Sequence, residues 1–345
     1  MLAKGYLYSY DMLGEAARTR ADAARYHAAY LDAIMALKGF AKSDDIRANP
    51  GISVKLSALH PRYEILKRQT MLPEMAASLL ALALAAKQAR MGLNIDAEEA
   101  DRLDISLDVI ESVLADPQLD GWDGFGVVVQ AYGPRAPYVI DWLHALAEKL
   151  DRKIMVRLVK GAYWDTEIKR AQTLGLPGFP VFTRKVNTDI SYIACARKLL
   201  GMTGRIYPQF ATHNAHTAAA ILAMGADRSA FEFQRLHGMG EALHEAIRKT
   251  EGTRCRIYAP VGAHADLLAY LVRRLLENGA NSSFVHQIAD KSVGADVIAS
   301  DPFALAERHD TAANPAILTS ARLFGASRRN SAGFDITDPL VLERI

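Results

Sequence analysis

The residues with the most chemical potential in this chain are cations and hydrogen-bond donors set inside apolar runs. Lys55 lies in "GISVKLS", Asp96 in "GLNIDAEE", Gln130 in "GFGVVVQA", and Arg157 with Lys160 in "KIMVRLVKG". Thr212 and His213 end "RIYPQFATH", Gln234 and His237 lie in "FEFQRLHG", and Tyr258 lies in "CRIYAPVG". A lysine or arginine among Ile, Val and Leu is costly to bury unless it is paired. Further along, "YLVRRLLENGANSSF" sets Arg273 and Arg274 side by side, with Glu277 on the same helical face. The carboxylates close to these cations are few: Asp96, Glu98 and Glu277. Such an inventory suits an anionic substrate or cofactor, with arginine favoured where a planar carboxylate or phosphate is gripped by two bonds.

Other chemistries fit less well. His213 and His216 in "THNAH" stand three apart, and Asp96 or Glu98 would have to join them for a metal. Zinc sites in barrels draw histidines from several strands, whereas His216 falls past its strand in a first helical turn. No G-x-S-x-G elbow supports a serine hydrolase. A Schiff-base lysine, Lys55 or Lys160, stays open, because burial among apolar neighbours lowers a lysine's pKa.

These residues need elements to bring them together. Apolar, β-branched runs bounded by turn residues predict strands at 5–12, 51–57, 92–99, 124–131, 153–161, 205–213, 231–238 and 255–262. Amphipathic stretches at 13–37, 74–90, 104–115, 137–150, 184–200, 216–224 and 240–249 predict helices between them. The stretch around 267–277 supplies the last, with Leu267, Leu268, Leu271, Val272, Leu275 and Leu276 forming an apolar face expected to pack against the body of the protein. Alternating strands and helices point to an α/β fold, a (β/α)8 TIM-type barrel, with chemistry at the C-terminal ends of the strands. A doubly wound sheet is the fallback, but no G-x-G-x-x-G turn follows the first strand. One caution comes from periodicity: Arg157 and Val159 point to one side of a regular strand and Lys160 to the other. Both cations were therefore expected to share a pocket only if the strand bends near Gly161.

Composition narrows the class. The 345 residues carry 41 Lys+Arg against 39 Asp+Glu, a formal net charge of +2, which does not suggest a nucleic-acid surface. Two cysteines rule out a disulfide framework and point to a reducing compartment. The most apolar run, 75–86, falls short of the ~20 residues that span a bilayer, and no secretory signal opens the chain. A cytoplasmic protein is expected. The barrel is expected over 1–285, and 286–345 has the composition of a C-terminal extension or linker.

The strings "ISVKLSALHPRYE", "NIDAEEADRLDISLD", "RLVKGAYWDTEIKRAQ", "YPQFATHNAHT", "FEFQRLHGMGE", "RIYAPVG" and "LLAYLVRRLLENGANSSFV", in this order, resemble the flavin-dependent proline dehydrogenase family, in the form fused within the bifunctional proline utilization A enzymes. The resemblance implies a distorted barrel with its last helix near the mouth. It implies FAD bound without a Rossmann motif, and oxidation of L-proline to Δ1-pyrroline-5-carboxylate with a quinone as electron acceptor. It places Lys55, Arg273 and Arg274 on the substrate carboxylate and Asp96 near the substrate amine, with Tyr163, Leu236 and Tyr258 walling the proline ring. Arg157 falls beside flavin N5 and Gln130 on the isoalloxazine edge. Lys160, Gly161, Ala162 and Trp164 fall in the loop under the cofactor, and Thr212, His213, Asn214 and Glu277 around its pyrophosphate and adenosine. Ala97, Val159 and Gln234 complete the cofactor set, and Asp96 and Arg157 are the catalytic pair. By the same resemblance, the tail near "RRNSAGFDITDP" is similar to the start of a junction to an aldehyde dehydrogenase domain. The expectation is therefore an isolated catalytic domain with neither that domain nor a DNA-binding segment. Any membrane contact is expected to be peripheral, at the inner membrane, in a longer parent.

Overall fold

Strict alternation along eight short strands decides the architecture. A computed structural model describes residues 4–262, 267–279, 290 and 292–345, the side chains of 277–279 and 295 excepted. The strands are β1 (Leu7–Met12), β2 (Gly51–Val54), β3 (Gly92–Ile95), β4 (Phe125–Gln130), β5 (Ile154–Val159), β6 (Ile206–Ala211), β7 (Glu232–Leu236) and β8 (Arg254–Val261). They pair in parallel in chain order, and β1 closes the barrel by pairing with both β2 and β8. The expected (β/α)8 barrel is the observed one.

Side chains two apart share a face of a strand. Ile52 and Val54, Leu93 and Ile95, Val156 and Leu158, and Phe210 and Phe233 are fully or almost fully buried in the main apolar core. The intervening positions include Ser9, Asp11, Ser53, Asn94, Arg157, Gln209, Glu232, Gln234 and Arg256, all buried as well. Barrel interiors are usually filled by branched aliphatic residues. This lumen instead carries a column of polar and charged groups, and each one bonds across to another strand or stacks on the next layer.

Around the strands run α1 (Arg20–Leu37), α2 (Arg68–Gln88), α3 (Leu103–Leu114), α4 (Ala136–Lys149), α5 (Trp164–Thr173), α6 (Lys185–Leu200), α7 (Ala215–Ala223), α8 (Glu241–Glu251) and α9 (Leu268–Gly279). The helix expected over 13–37 begins only at Arg20, because Thr19 and Asp22 form a capping box: the Asp22 N–H donates to Thr19 Oγ1 at 3.0 Å, and the Thr19 N–H to Asp22 Oδ2 at 3.0 Å. Residues 13–19 are left as a loop over the barrel mouth. The sequence pattern missed α5, a polar helix that buries little beyond Glu167, Ile168 and Ala171. The stretch Ile65–Gln88 is longer than its apolar run suggested and, by length and composition, long enough to cross a bilayer. Here it lays Met71, Met75, Leu79, Leu82, Ala83 and Ala86 into the core.

The expectation for α9 holds for its arginines and fails for its apolar face. Its apolar residues are not packed away: Leu268 is 71 %, Leu275 72 % and Leu276 51 % exposed, the last two along the edge of the cavity. Arg273 and Arg274 are the half-buried side, turned over the barrel mouth. Beyond it come short helices α10 (Ala295–Ile298), α11 (Pro302–Glu307) and α12 (Pro339–Leu342). This C-terminal stretch is tied to the barrel: Asn187 Nδ2 donates to Ala312 O at 2.8 Å, the Asn314 N–H to Thr183 Oγ1 at 2.8 Å, and Gln172 Nε2 to Leu318 O at 2.7 Å.

Gly161 closes β5 at φ +132, a conformation that L side chains rarely adopt, and a Cβ there would stand 2.4 Å from the Tyr132 ring. Gly161→Ala is expected to lower stability by ~2 kcal/mol or more through strain and overpacking. Urea unfolding checks this, and adding Tyr132→Ala is expected to recover only the steric part.

Candidate active site

The mouth of the lumen is built on one ion cluster. The Lys55 ammonium, just past β2, donates to Asp11 Oδ1 at 2.6 Å and to Asp96 Oδ2 at 3.2 Å. Tyr258 OH donates to the same Asp96 oxygen at 2.8 Å, and Arg157 NH1 to Asp96 Oδ1 at 3.0 Å. Arg157 spends its other donors inside the barrel: Nε on Gln234 Oε1 at 2.7 Å, NH1 also on Ser53 Oγ at 3.0 Å, NH2 on Ser9 Oγ at 3.1 Å. Its guanidinium lies 5.1 Å from the centre of the Tyr258 ring. These residues come from β1, β2, β3, β5, β7 and β8, so only a closed barrel assembles them.

Burial alone would push the Lys55 pKa down, but Asp11, Tyr258 and Asp96 outweigh it and hold the ammonium well above the usual lysine value. A Schiff-base lysine needs the opposite, a neutral amine. Burial, with Asp11 and Asp96 beside it, pushes the Tyr258 phenol well above its usual value, so it stays a donor. Burial also raises Asp11, whose Oδ2 finds no partner among the described residues.

A second tier lies outside the strands. Lys160 does not turn into the lumen with Arg157. It keeps the outward parity and ion-pairs with Asp189 of α6, while its Nζ reaches Thr217 Oγ1 of α7 at 3.3 Å. Lys185 takes the other Asp189 oxygen at 2.6 Å, so two lysines share one carboxylate. The cavity is wide enough to touch both Arg157 and Lys160, and no reversal of the strand is required. Asn214 caps α7, its Oδ1 accepting the Thr217 N–H at 3.0 Å. His213 Nε2 accepts the Leu236 N–H at 3.0 Å. Burial, then His244, Arg274 and other nearby cations, push the His213 imidazole down to about 3, so it is a neutral acceptor, and among the described residues no His, Cys, Asp and Glu side chains group as metal ligands. Gln130 Nε2 donates to Glu98 O at 2.8 Å, and its Oε1 accepts the Ala162 N–H at 3.3 Å, which locks its amide. Burial pushes the Glu98 carboxyl up to about 7, against the pull of Arg102 and Ser57.

Over the mouth, the Arg273 fork is taken by Glu15 from the 13–19 loop, NH1 to Oε1 at 2.7 Å and NH2 to Oε2 at 2.9 Å. Its guanidinium lies 5.4 Å from the Tyr163 ring centre, and that of Arg274 lies 5.5 Å from the Tyr270 ring centre.

Both tiers open on one cavity of about 1040 Å³. Lys55, Asp96, Ala97, Gln130, Arg157, Val159, Lys160, Gly161, Ala162, Tyr163, Trp164, Thr212, His213, Asn214, Gln234, Leu236, Tyr258, Arg273 and Arg274 all face it. Glu277 is in the backbone of α9, but its side chain lies outside the described residues. Neither His216 nor His237 is part of the lining. The sequence reading missed Asp11, Glu15 and a wall made by His309, Asn314 and Ile317. Asp11 carries a usable signal, since it follows Ser9 by two at the end of β1, the parity of every other lumen residue. Glu15 and the C-terminal wall carry none.

Residues 1–287 match the family model described as Proline dehydrogenase. The chain belongs to the proline dehydrogenase family. It is 53% identical over 349 residues to the Bifunctional protein PutA of Klebsiella aerogenes, covering 97% of this chain and 27% of that protein. It is 30% identical over 211 residues to Proline dehydrogenase 1 of Bacillus subtilis (strain 168), covering 60% of this chain and 61% of that protein. A crystal structure of Bradyrhizobium japonicum Proline Utilization A superposes with a TM-score of 0.95 at 56% identity, over 99% of this chain and 35% of that one. The chain therefore spans only about a quarter of the length of these bifunctional relatives, and it matches the proline dehydrogenase family model over residues 1–287.

A neutral His213 has a pH signature. Its folded pKa lies below the usual imidazole value, so the unfolded state binds the extra proton, and stability is lost as pH falls from ~6.5 toward 3. The ring is expected to show no titration at pH 5 in its carbon chemical shifts; a midpoint near ~6.5 refutes the assignment.

Proposed function

We infer that this protein oxidises L-proline to Δ1-pyrroline-5-carboxylate with FAD held in the barrel-mouth cavity, as the first step of proline catabolism, with electrons passed on to a quinone. One observation carries the reading. Asp96 is fixed by Lys55, Arg157 and Tyr258 directly under a helix that turns Arg273 and Arg274 toward the same cavity. An amino acid offers just that pairing of charges, a carboxylate for the arginines and an amine for the aspartate.

The lining also fits the cofactor. The cavity lies at the upper end of the ~300–1,000 Å³ usual for small-molecule sites, room for more than proline alone. Lys160 and Lys185 share the single carboxylate of Asp189, and Arg184 lines the same cavity, leaving excess positive charge beside the capped N-terminus of α7, an environment suited to a diphosphate. Arg157, with Gln130 and the Ala162 N–H, offers a polar edge for a flavin ring, and Trp164, anchored by its Nε1 donating to Phe182 O at 2.8 Å, offers a flat wall. FAD would supply the acceptor for the hydride that leaves the ring carbon next to the proline nitrogen.

The protein's own residues do the rest. Arg273, Arg274 and Lys55 grip the carboxylate and so fix the ring in one orientation, which lowers the entropic part of the barrier. Glu15 occupies the Arg273 fork, so a substrate carboxylate takes those donors by exchange. Asp96 offers the amine a carboxylate already held on three sides, and gives its proton an acceptor. Tyr163, Leu236 and Tyr258 wall the apolar ring and exclude water. Arg157 places a permanent positive charge where negative charge would build on reduction.

Residues 286–345 we read as the stretch leading to an aldehyde dehydrogenase domain in a longer parent, a reading supported by the bifunctional names of the relatives. A cytoplasmic site, peripheral to the inner membrane in that parent, belongs to the same reading, and the buried free thiols Cys195 and Cys255 agree with a reducing compartment.

Protein reconstituted with FAD is expected to absorb near ~450 nm and to bleach on anaerobic addition of proline; no bleaching leaves an anion-binding barrel without this activity. Arg274→Met is expected to raise KM for proline a hundredfold or more while flavin stays bound, the loss of a charge-assisted pair of ~3 kcal/mol. An unchanged KM removes Arg274 from the substrate site.

A further inference from the structure

Below the ion cluster lies a carboxylate that the proposed chemistry does not use. Glu232, at the start of β7, is fully buried deep in the lumen. Its Oε1 accepts from Arg256 Nε at 2.7 Å, Gln209 Nε2 at 3.0 Å and Gln234 Nε2 at 2.7 Å, and its Oε2 accepts from Arg256 NH2 at 3.1 Å. Strand register makes this meeting: Gln209 of β6 lies opposite Glu232, and Gln234 of β7 lies opposite Arg256 of β8. Glu232 and Gln234 are two apart on one strand and share the inward face.

A glutamine amide has one end that only accepts and one that only donates. Gln234 meets Arg157 Nε–H, a donor, so its oxygen must face that way. Were the amide reversed, its NH2 would oppose Arg157 in a dry lumen and the charge-assisted bond would be lost. A carboxylate at the other end forbids the reversal, because it accepts hydrogen bonds and donates none. Arg256 holds that carboxylate in place through two hydrogen bonds.

We propose that Glu232 is a positioning residue: by pinning the Gln234 amide it holds the Arg157 guanidinium in the orientation that aims NH1 at Asp96 and its charge at the cavity. The inference rests on the proline dehydrogenase reading of the site for its catalytic consequence, but the positioning itself is a property of the protein alone. Proline affinity, set by the helix arginines and Lys55, is not where the effect belongs. It belongs in the reduction step and in the flavin potential.

The test removes the buried pair together, Glu232→Met with Arg256→Met, since exchanging both partners of a buried ion pair for apolar residues is often tolerated. The first readout needs no cofactor: exchange of the Arg157 Nε–H with solvent, followed by nitrogen–proton NMR and assigned by its loss in Arg157→Lys. At least tenfold faster exchange in the double variant, with unchanged circular dichroism, is expected. In FAD-loaded protein, kcat for proline is expected to fall at least tenfold with KM within threefold. The oxidised–reduced equilibrium is expected to shift tenfold, about 30 mV for a two-electron couple. Unchanged exchange overturns the proposal, and so does faster exchange with an unaltered potential and kcat. Should the double variant fail to fold, Glu232→Asp, which keeps the charge and withdraws the acceptor by one methylene, carries the same comparison. A parent protein that takes up no FAD sinks the functional reading, while the exchange measurement still decides whether Glu232 positions Arg157.

Discussion

The interaction on which the rest depends is the Lys55 ammonium shared between Asp11 and Asp96, with Arg157 on the far side of Asp96. Four charged groups have been taken out of water into a barrel lumen. Desolvation of that kind is offset only where every charge meets an opposite charge at hydrogen-bond distance. The four side chains come from four strands, so the satisfaction of each is a condition on the closure and register of the whole sheet. A slip of one residue in any of them would turn a lumen charge toward the apolar helix layer. Chemistry and fold specification therefore rest on the same groups.

The polar column below extends this logic. Many lumen positions that a typical barrel fills with a branched aliphatic residue here carry a donor or acceptor that meets the next. Networks of this kind strengthen when complete and are costly when broken. They leave Arg157 with few alternative partners, the condition for a fixed charge.

The last helix shows how such a site overrides ordinary packing. An amphipathic helix usually buries its apolar face, yet α9 leaves Leu268, Leu271 and Val272 exposed and turns its arginines to the cavity, where the exposed Leu275 and Leu276 join them. Glu15 and Tyr163 stand at the mouth and give Arg273 a two-bond ion pair and an aromatic face. The cavity also spans two layers. Its inner part is the lumen, reached by Arg157, and its outer part lies over α6 and α7, reached by Lys160.

Much of this was legible in the sequence. Apolar, β-branched runs bounded by turn residues located all eight strands, and lysine, aspartate, glutamine and arginine at strand ends marked the cavity, because burying such groups without a purpose is costly. The adjacent Arg273 and Arg274 were visible as a helical face. Local pattern alone carries the period of an element and the chemical nature of each face. It does not carry which way a face turns, nor which distant residue meets it. That Arg273 meets Glu15 across 258 positions, that Asp11 completes the lysine's ion pairs, and that residues 309–317 wall the cavity were decided only by tertiary structure. Pairing between charges is a property of distance in space, and only closure of the barrel brings those charges within a hydrogen bond of one another.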